Sequence, residues 1–153
     1  MSATADRLPY VDENSIAIDA GPEATWEALL RVVERSFAAG SASRVARILG
    51  CSDAGAGGPR PLAAGSTIPG FHVDLADPGD ELALAGSHRF SDYALIFRLD
   101  RLGGERTTLR AETRAVFPGL RGRAYRALVI GTRGHVLVTR RLLGAVRRRA
   151  ERA

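Results

Sequence analysis

Three histidines, three tyrosines and one cysteine are the side chains of this 153-residue chain best suited to moving a proton or attacking a substrate. His88 is the candidate among them. It shares alternating parity with Leu82, Leu84, Gly86 and Phe90, so a strand through them turns its ring toward apolar neighbours. A histidine on the wall of an apolar cavity can orient a polar ligand atom or exchange a proton near neutral pH. The plainer reading, a histidine hydrogen-bonded to backbone near a strand end, carries more weight, and the catalytic residues stay unassigned. Tyr93, Phe97 and Phe117 on strands and Tyr125 on the C-terminal helix are expected to line the same space. An aromatic wall with a few hydroxyls suits an apolar small molecule, and suits a filled core equally well, Phe97 above all.

The remaining groups point to no chemistry. His135, beside Val136 at the edge of a helical stripe, reads as a surface or capping residue, and His72 reads as solvated on the outward parity of its strand. Cys51 excludes an intramolecular disulfide and, with no basic neighbour nearer than Arg47, reads as an inert thiol. The histidines lack metal-ligand spacing, and Asp74, Asp77 and Asp80 lack the glycine and closing glutamate of a calcium loop. No Gly-x-Gly-x-x-Gly follows a strand and no nucleophile elbow is present. No metal or other cofactor is expected.

The elements that position these residues follow from periodicity. Residues 1–10 read as a flexible N-terminal arm and 11–151 as a single domain. Ser15–Ala20 alternates as a short strand. Gly21-Pro22-Glu23 opens a helix, with Trp26, Leu29, Leu30, Val33 and Phe37 on one face, broken at Ala38-Ala39-Gly40. A shorter helix, Ser41–Leu49, is expected to be capped by Ser41 or Ser43 and to bury Val45, Ile48 and Leu49. Residues 50–66, rich in glycine, read as a flexible surface loop.

After the loop the period changes to two. Phe71, Val73 and Leu75 share a face; Asp77-Pro78-Gly79-Asp80 makes a turn, and Gly103-Gly104 makes a hairpin. Tyr93, Leu95, Phe97 and Leu99 share the next face. On the last strand Leu109, Ala111, Thr113, Ala115 and Phe117 point inward, with Arg106, Thr108, Arg110, Glu112 and Arg114 toward water. Close packing is the rule in protein interiors, so the small inward residues Ala111, Thr113 and Ala115 argue for a cavity. From Leu120 to about Glu151 the period is helical, with Tyr125, Leu128, Val129, Thr132, Val136, Thr139, Leu143 and Val146 on one stripe and a break plausible between Gly131 and Gly134. The sheet needs a cover, and this long helix is the element able to supply it.

Charge is unevenly placed. All 22 basic residues are arginine; residues 1–85 carry 6 against 12 acids and residues 86–153 carry 16 against 5. Such a division marks either an anionic partner or two surfaces that attract on folding. The arginines from Arg140 to Arg149 could meet an anionic membrane or nucleic acid, but basic residues belong at a helix C-terminus in any case. The longest aliphatic run, Ala127–Ile130, is too short for membrane insertion. Residues 1–15 lack the apolar core of a secretory signal, so the cytoplasm is the expected compartment.

Two stretches resemble a known superfamily. One is Ser15–Ala20 running into Gly21-Pro22-Glu23-Ala24-Thr25-Trp26-Glu27-Ala28-Leu29; the other is Gly86 to Phe97, taken with Phe117-Pro118-Gly119-Leu120 and Gly122–Arg126. Over roughly residues 11–150 the chain resembles the START/Bet v 1 superfamily (SRPBCC), in its polyketide cyclase/dehydrase and lipid-transport part and within an uncharacterised bacterial branch. The Gly-rich 52–65 segment and the glycines of the last helix depart from the common pattern. The resemblance implies an α+β helix-grip fold: a curved antiparallel sheet wrapped around a long C-terminal helix, with two short helices after the first strand. It implies an internal apolar cavity for a hydrophobic, lipid-like or aromatic molecule, walled here by His88, Phe90, Tyr93, Phe97, Leu109, Ala111, Thr113, Phe117 and Tyr125. Two alternatives stay open. One is a cyclase- or aromatase-like enzyme using the same cavity. The other is an interaction module using the arginine-rich helix, although no nucleic-acid partner is expected.

Overall fold

The period changes to two near residue 70 and back to helical after Pro118, and the elements follow it. The computed structural model describes residues 5–38, 40–129, 131 and 133–153. A 3-10 turn at Ala5–Arg7 leads into β1 (Tyr10–Ile18), α1 (Pro22–Phe37) and α2 (Gly40–Leu49). Then come β2 (Thr67–Ile68), β3 (Phe71–Asp77), β4 (Glu81–His88), β5 (Ser91–Arg101), β6 (Thr107–Val116), α3 (Gly119–Val129) and α4 (Gly134–Arg152). The strands form one antiparallel sheet in the order β1-β6-β5-β4-β3-β2. Hairpins connect β3 to β6, and β1 crosses to the free edge of β6. This is the helix-grip arrangement.

One face of the sheet is covered by α1 and α4 packed together. Trp26, Leu29 and Val33 of α1 meet Leu142, Leu143 and Val146 of α4 over Leu82, Leu84, Phe97, Leu109 and Ala111. Pro22 at the first helical position starts α1 as its sequence requires. No helix of the described residues is long and apolar enough to cross a membrane.

Several expectations need correction. Residues 5–10 are not a loose arm. Ala5 is fully buried against Ala83, Ala94 and Ile96 on the outer face of the sheet, and Arg114 donates hydrogen bonds to the carbonyls of Asp6 and Leu8. Strand β1 therefore begins at Tyr10 rather than Ser15. A bulge between Val73 and Leu75 reverses the parity of β3: Val73 stays in the main core, whereas Leu75 packs on the outer face beside Ala83. Glu112 does not face water. It is buried under the N-terminal turn, bonded to Arg98 at 2.5 Å and to Arg114.

The 50–66 segment is irregular but tied down. Leu62 and Ser66 are buried, Ser52 donates to Ser87, and Arg60 reaches Glu34 and the carbonyls of Gly57 and Thr67. In α2 only Ala46 is buried, while Val45 and Ile48 are more than half exposed. Ser41 and Ser43 lie inside α2, which begins at Gly40, and Ser43 donates to the carbonyl of Ala54. The C-terminal helix is divided, with Arg133 left-handed at φ 56° between α3 and α4, and Leu128 is exposed rather than in the stripe. Residues 1–4 of the arm, Ala39 of the first break, Ile130 of the aliphatic run and Thr132 of the stripe lie outside the described residues.

The charge division has a structural outcome. Acids of the N-terminal half pair with arginines of the other half across the sheet: Asp6 and Glu81 with Arg98, Glu13 with Arg110, and Asp19 with Arg106.

Candidate functional site

Strand β6 passes under two different covers. At its start Leu109 and Ala111 lie fully buried beneath α1 and α4. Four residues on, the packed helices have moved off the sheet. Thr113 and Ala115 instead floor a cavity of about 500 Å³, roofed by α2, α3 and the first turn of α4. The small side chains that sequence alone marks as leaving room thus divide: Ala111 is core, and Thr113 and Ala115 are cavity wall.

Aromatic rings form a connected arc along that wall. Phe37 meets Phe71 edge-on at 5.2 Å, Phe71 meets Tyr93 edge-on at 5.2 Å, and Tyr93 lies 5.3 Å from His88. His88 meets Tyr125 edge-on at 4.8 Å. Such edge contacts satisfy the ring quadrupoles and fix the rings against one another. Phe117 lies beside Tyr125 and lines the cavity. Phe90, in the β4–β5 hairpin, stacks on Tyr125 at 5.6 Å and stands behind the lining.

Of the residues expected at the site, His88, Tyr93, Thr113, Phe117 and Tyr125 are brought together on the lining. Phe97, Leu109 and Ala111 are not: each is fully buried in the core, because inward parity continues along a strand after the cavity has ended. Of the roof, the expectation includes only Tyr125 and misses the rest. Val45, Ala46 and Leu49 of α2, Val129 of α3, Cys51, Phe71 and His135 all contribute. The signal available for α2 was its amphipathic pattern, read as core packing when the apolar side in fact covers a space.

The polar atoms of the wall are mostly committed. Tyr93 donates its hydroxyl proton to the carbonyl of Gly70 at 2.5 Å. Cys51 Sγ lies 3.7 Å from the Tyr93 hydroxyl oxygen, and the tyrosine proton is already taken, so the thiol is the donor. Burial, with the contact to Cys51, pushes the Tyr93 phenol far above its ordinary range. Burial also raises Tyr125. His88 Nδ1 accepts the backbone N–H of Phe90 at 3.0 Å, which leaves the ring proton on Nε2. Burial lowers the proton affinity of His88, partly offset by the charge of Asp92. The site is therefore neutral on this side, with Nε2–H of His88 as a fixed donor. His72, expected to be solvated, pairs with Asp53 at 2.9 Å outside the cavity. Among the described residues no His, Cys, Asp or Glu side chains gather into a metal-binding group.

Comparison with solved structures finds the same architecture. The chain is similar to the Zhui aromatase/cyclase from Streptomyces sp. R1128, with a TM-score of 0.59 and 17% identity over 92% of this chain and 93% of that one. It is similar to protein CV1439 from Chromobacterium violaceum, TM-score 0.56 and 11% identity, covering 92% and 96%. Protein MLL2253 from Mesorhizobium loti follows at 0.51 and 16%, covering 93% and 98%. No family model and no curated protein matches the sequence. At these identities the likeness establishes the fold, the helix-grip fold, and nothing beyond it.

Proposed function

We propose that this protein binds a small hydrophobic molecule, aromatic or lipid-like, in the cavity under α2 and α3. The observation that carries this reading is the space of about 500 Å³ with an aromatic wall and few uncommitted polar atoms. That volume is within the range of small-molecule pockets, and an apolar lining with a small number of placed polar groups is their usual composition. In this reading residues 11–151 act as one cytoplasmic ligand-binding domain. Native mass spectrometry of the purified protein tests it: a co-purified mass of a few hundred daltons, released on denaturation, is expected. Failure to retain any such mass, together with no saturable uptake of an apolar probe such as 2-methylnaphthalene, would sink the proposal.

A second reading is a cyclase- or aromatase-like enzyme in the same cavity. The likeness to the Streptomyces aromatase/cyclase favours it, as does the presence of both His88 and His135 on the lining of the cavity. The enzyme reading requires turnover that falls when those side chains are removed. A binder retains affinity without turnover.

A further inference from the structure

The outer sides of α1 and α4 carry a charge that the sheet does not balance. The start of α1 lies beside the end of α4, where the Asp19 N–H donates to Glu151 at 3.0 Å. Between the two helices runs a groove of about 730 Å³, with Ala28 and Val32 buried at its floor. Arg31 and Arg35 of α1 form one bank, and Arg148, Arg149 and Arg152 of α4 form the other. Among the described residues Glu27 is the one acidic side chain that lines it, which leaves a surplus of four positive charges. Arg31 with Arg35, and Arg148 with Arg152, are four residues apart, so each pair is spaced about 6 Å along its helix.

Several arginines elsewhere in the chain hold carboxylates: Arg60 holds Glu34, Arg98 holds Glu112, Arg106 holds Asp19 and Arg110 holds Asp100. Among the described residues none of the five groove arginines forms an ion pair. Their neighbour Arg147 does, with Glu151 at 3.2 Å. Like charges four residues apart on a helix repel, and the groove holds two such pairs. A helix C-terminus favours basic residues, which accounts for Arg35, Arg149 and Arg152 in last turns. It does not account for Arg31 or Arg148, nor for two helices bringing their arginines to one groove.

We propose that this groove is a binding site, separate from the apolar cavity, for a small molecule that carries two or more phosphate groups in a chain. A guanidinium presents parallel N–H donors that match the oxygens of a phosphate. Arginines one turn apart on facing banks suit consecutive phosphates, and the bound anion relieves their mutual repulsion. Two larger partners fit less well. Among the described residues none of the exposed large apolar side chains lines the groove, so it offers nothing to insert into a membrane. No aromatic ring lines it for a nucleic-acid base to stack on. The groove shares only Ser36 with the lining of the apolar cavity, so the two sites stand or fall separately.

Calorimetric titration of the full chain with inorganic triphosphate at low ionic strength tests it. One triphosphate is expected to bind per chain, roughly tenfold or more tighter than inorganic monophosphate or citrate, whose charges sit on carboxylates. Replacing one arginine on each bank, Arg31→Gln with Arg148→Gln, should weaken triphosphate about tenfold or more. The matched pair Arg121→Gln with Arg123→Gln removes the same charge from α3, outside the groove, and should leave affinity within about twofold. Without ligand the groove variant should melt no lower than the unsubstituted protein, because a repulsion has gone, and it should lose the rise in Tm that triphosphate gives. Equal loss in both double variants overturns the site, since net charge alone then attracts the anion. Monophosphate or citrate binding as tightly as triphosphate overturns the assignment to a phosphate chain. Failure of triphosphate to bind overturns it too, and capture of phosphatidylserine vesicles or duplex DNA through Arg31 and Arg148 would then make the groove a macromolecular interface.

Discussion

Gly86 stands directly opposite Tyr93 in the β4–β5 ladder, and the tyrosine ring lies across the face that the glycine leaves bare. A Cβ on residue 86 would sit 2.2 Å from the carbonyl oxygen of Gly70 and 2.6 Å from the ring. The bare face is what lets the Tyr93 hydroxyl cross β4 and reach Gly70. Gly86→Ala is therefore expected to lose about 2–4 kcal/mol of stability, since the obstruction includes backbone as well as a ring. Tyr93→Phe removes only the hydrogen bond and should cost about 1 kcal/mol. Urea unfolding of the two variants checks the order: if Gly86→Ala proved less damaging than Tyr93→Phe, the ring would have another resting place.

The division of β6 into core and cavity can be read with one side-chain change at two positions. Ala111 and Ala115 lie on the same face of the strand, both nearly inaccessible. Ala111→Phe forces a ring into the packed core and should cost about 3 kcal/mol or more, leaving affinity for 2-methylnaphthalene little altered in the folded fraction. Ala115→Phe projects into the cavity; about 1 kcal/mol or less of stability is at stake, but probe affinity should fall at least tenfold. Thermal melts and fluorescence titrations of the pair decide it. Loss of binding in both variants, or in neither, contradicts the assigned boundary.

Acid should weaken the fold in two steps. Burial holds the proton affinity of folded His88 below the ordinary value near 6.5. The unfolded chain therefore takes up that proton first, and stability is full above about pH 6.5 and declines as pH falls through that value. Glu112 gives a second, lower step. Burial alone would raise its pKa, but the hydrogen bonds and charges of Arg98 and Arg114 outweigh that effect and hold the carboxyl below its ordinary value. Its contribution is present above the unfolded carboxylate pKa, near 4.3, and is lost as pH falls through the folded value. Urea midpoints measured against pH should show both declines. His88→Phe should flatten the upper one alone. Glu112→Gln should flatten the lower one while costing about 3 kcal/mol at neutral pH, because it leaves Arg98 and Arg114 without their shared buried carboxylate.

What sequence could reveal here was whatever periodicity carries. Alternation along β5 and β6 placed Tyr93, Phe97, Leu109 and Thr113 on one face correctly, and the proline before α1 fixed where that helix begins. Alternation says which face a residue points to, but not what lies over that face at that point along the strand. Phe97 and Thr113 are therefore indistinguishable by parity, though one is core and the other floors the cavity. A single bulge at Asp74 was enough to turn Leu75 to the outer face. His135 was hidden for a related reason: a continuous helix puts it at the edge of the stripe, and only the left-handed turn at Arg133 brings it against Asp12. Apolar residues on α2 looked like core because an amphipathic pattern does not distinguish a helix that packs on a sheet from one that covers a space.

That last distinction yields a prediction about motion. Helices α2 and α3 make few contacts with other elements, in contrast to the extensive packing of α1 against α4. Their apolar residues are poorly covered: Val45 is 54% exposed, Ile48 67%, Leu120 81% and Leu128 66%. Segments with little buried apolar surface open at low free energy, well below global unfolding. Both helices nevertheless line the cavity, through Ala46 and Leu49 on one side and Tyr125 and Val129 on the other. An apolar ligand would supply the contact surface that these helices lack, so binding should stabilise them selectively. In hydrogen exchange read by mass spectrometry, saturating 2-methylnaphthalene is expected to slow exchange in α2 and α3 at least tenfold, about 1.4 kcal/mol or more of local stability. Exchange in α1 and in the early half of β6 should change little, since those amides already open only with the whole domain. Equal protection throughout the chain would mean that the ligand acts on global stability, and unchanged exchange in α2 at saturation would remove that helix from the roof of the site.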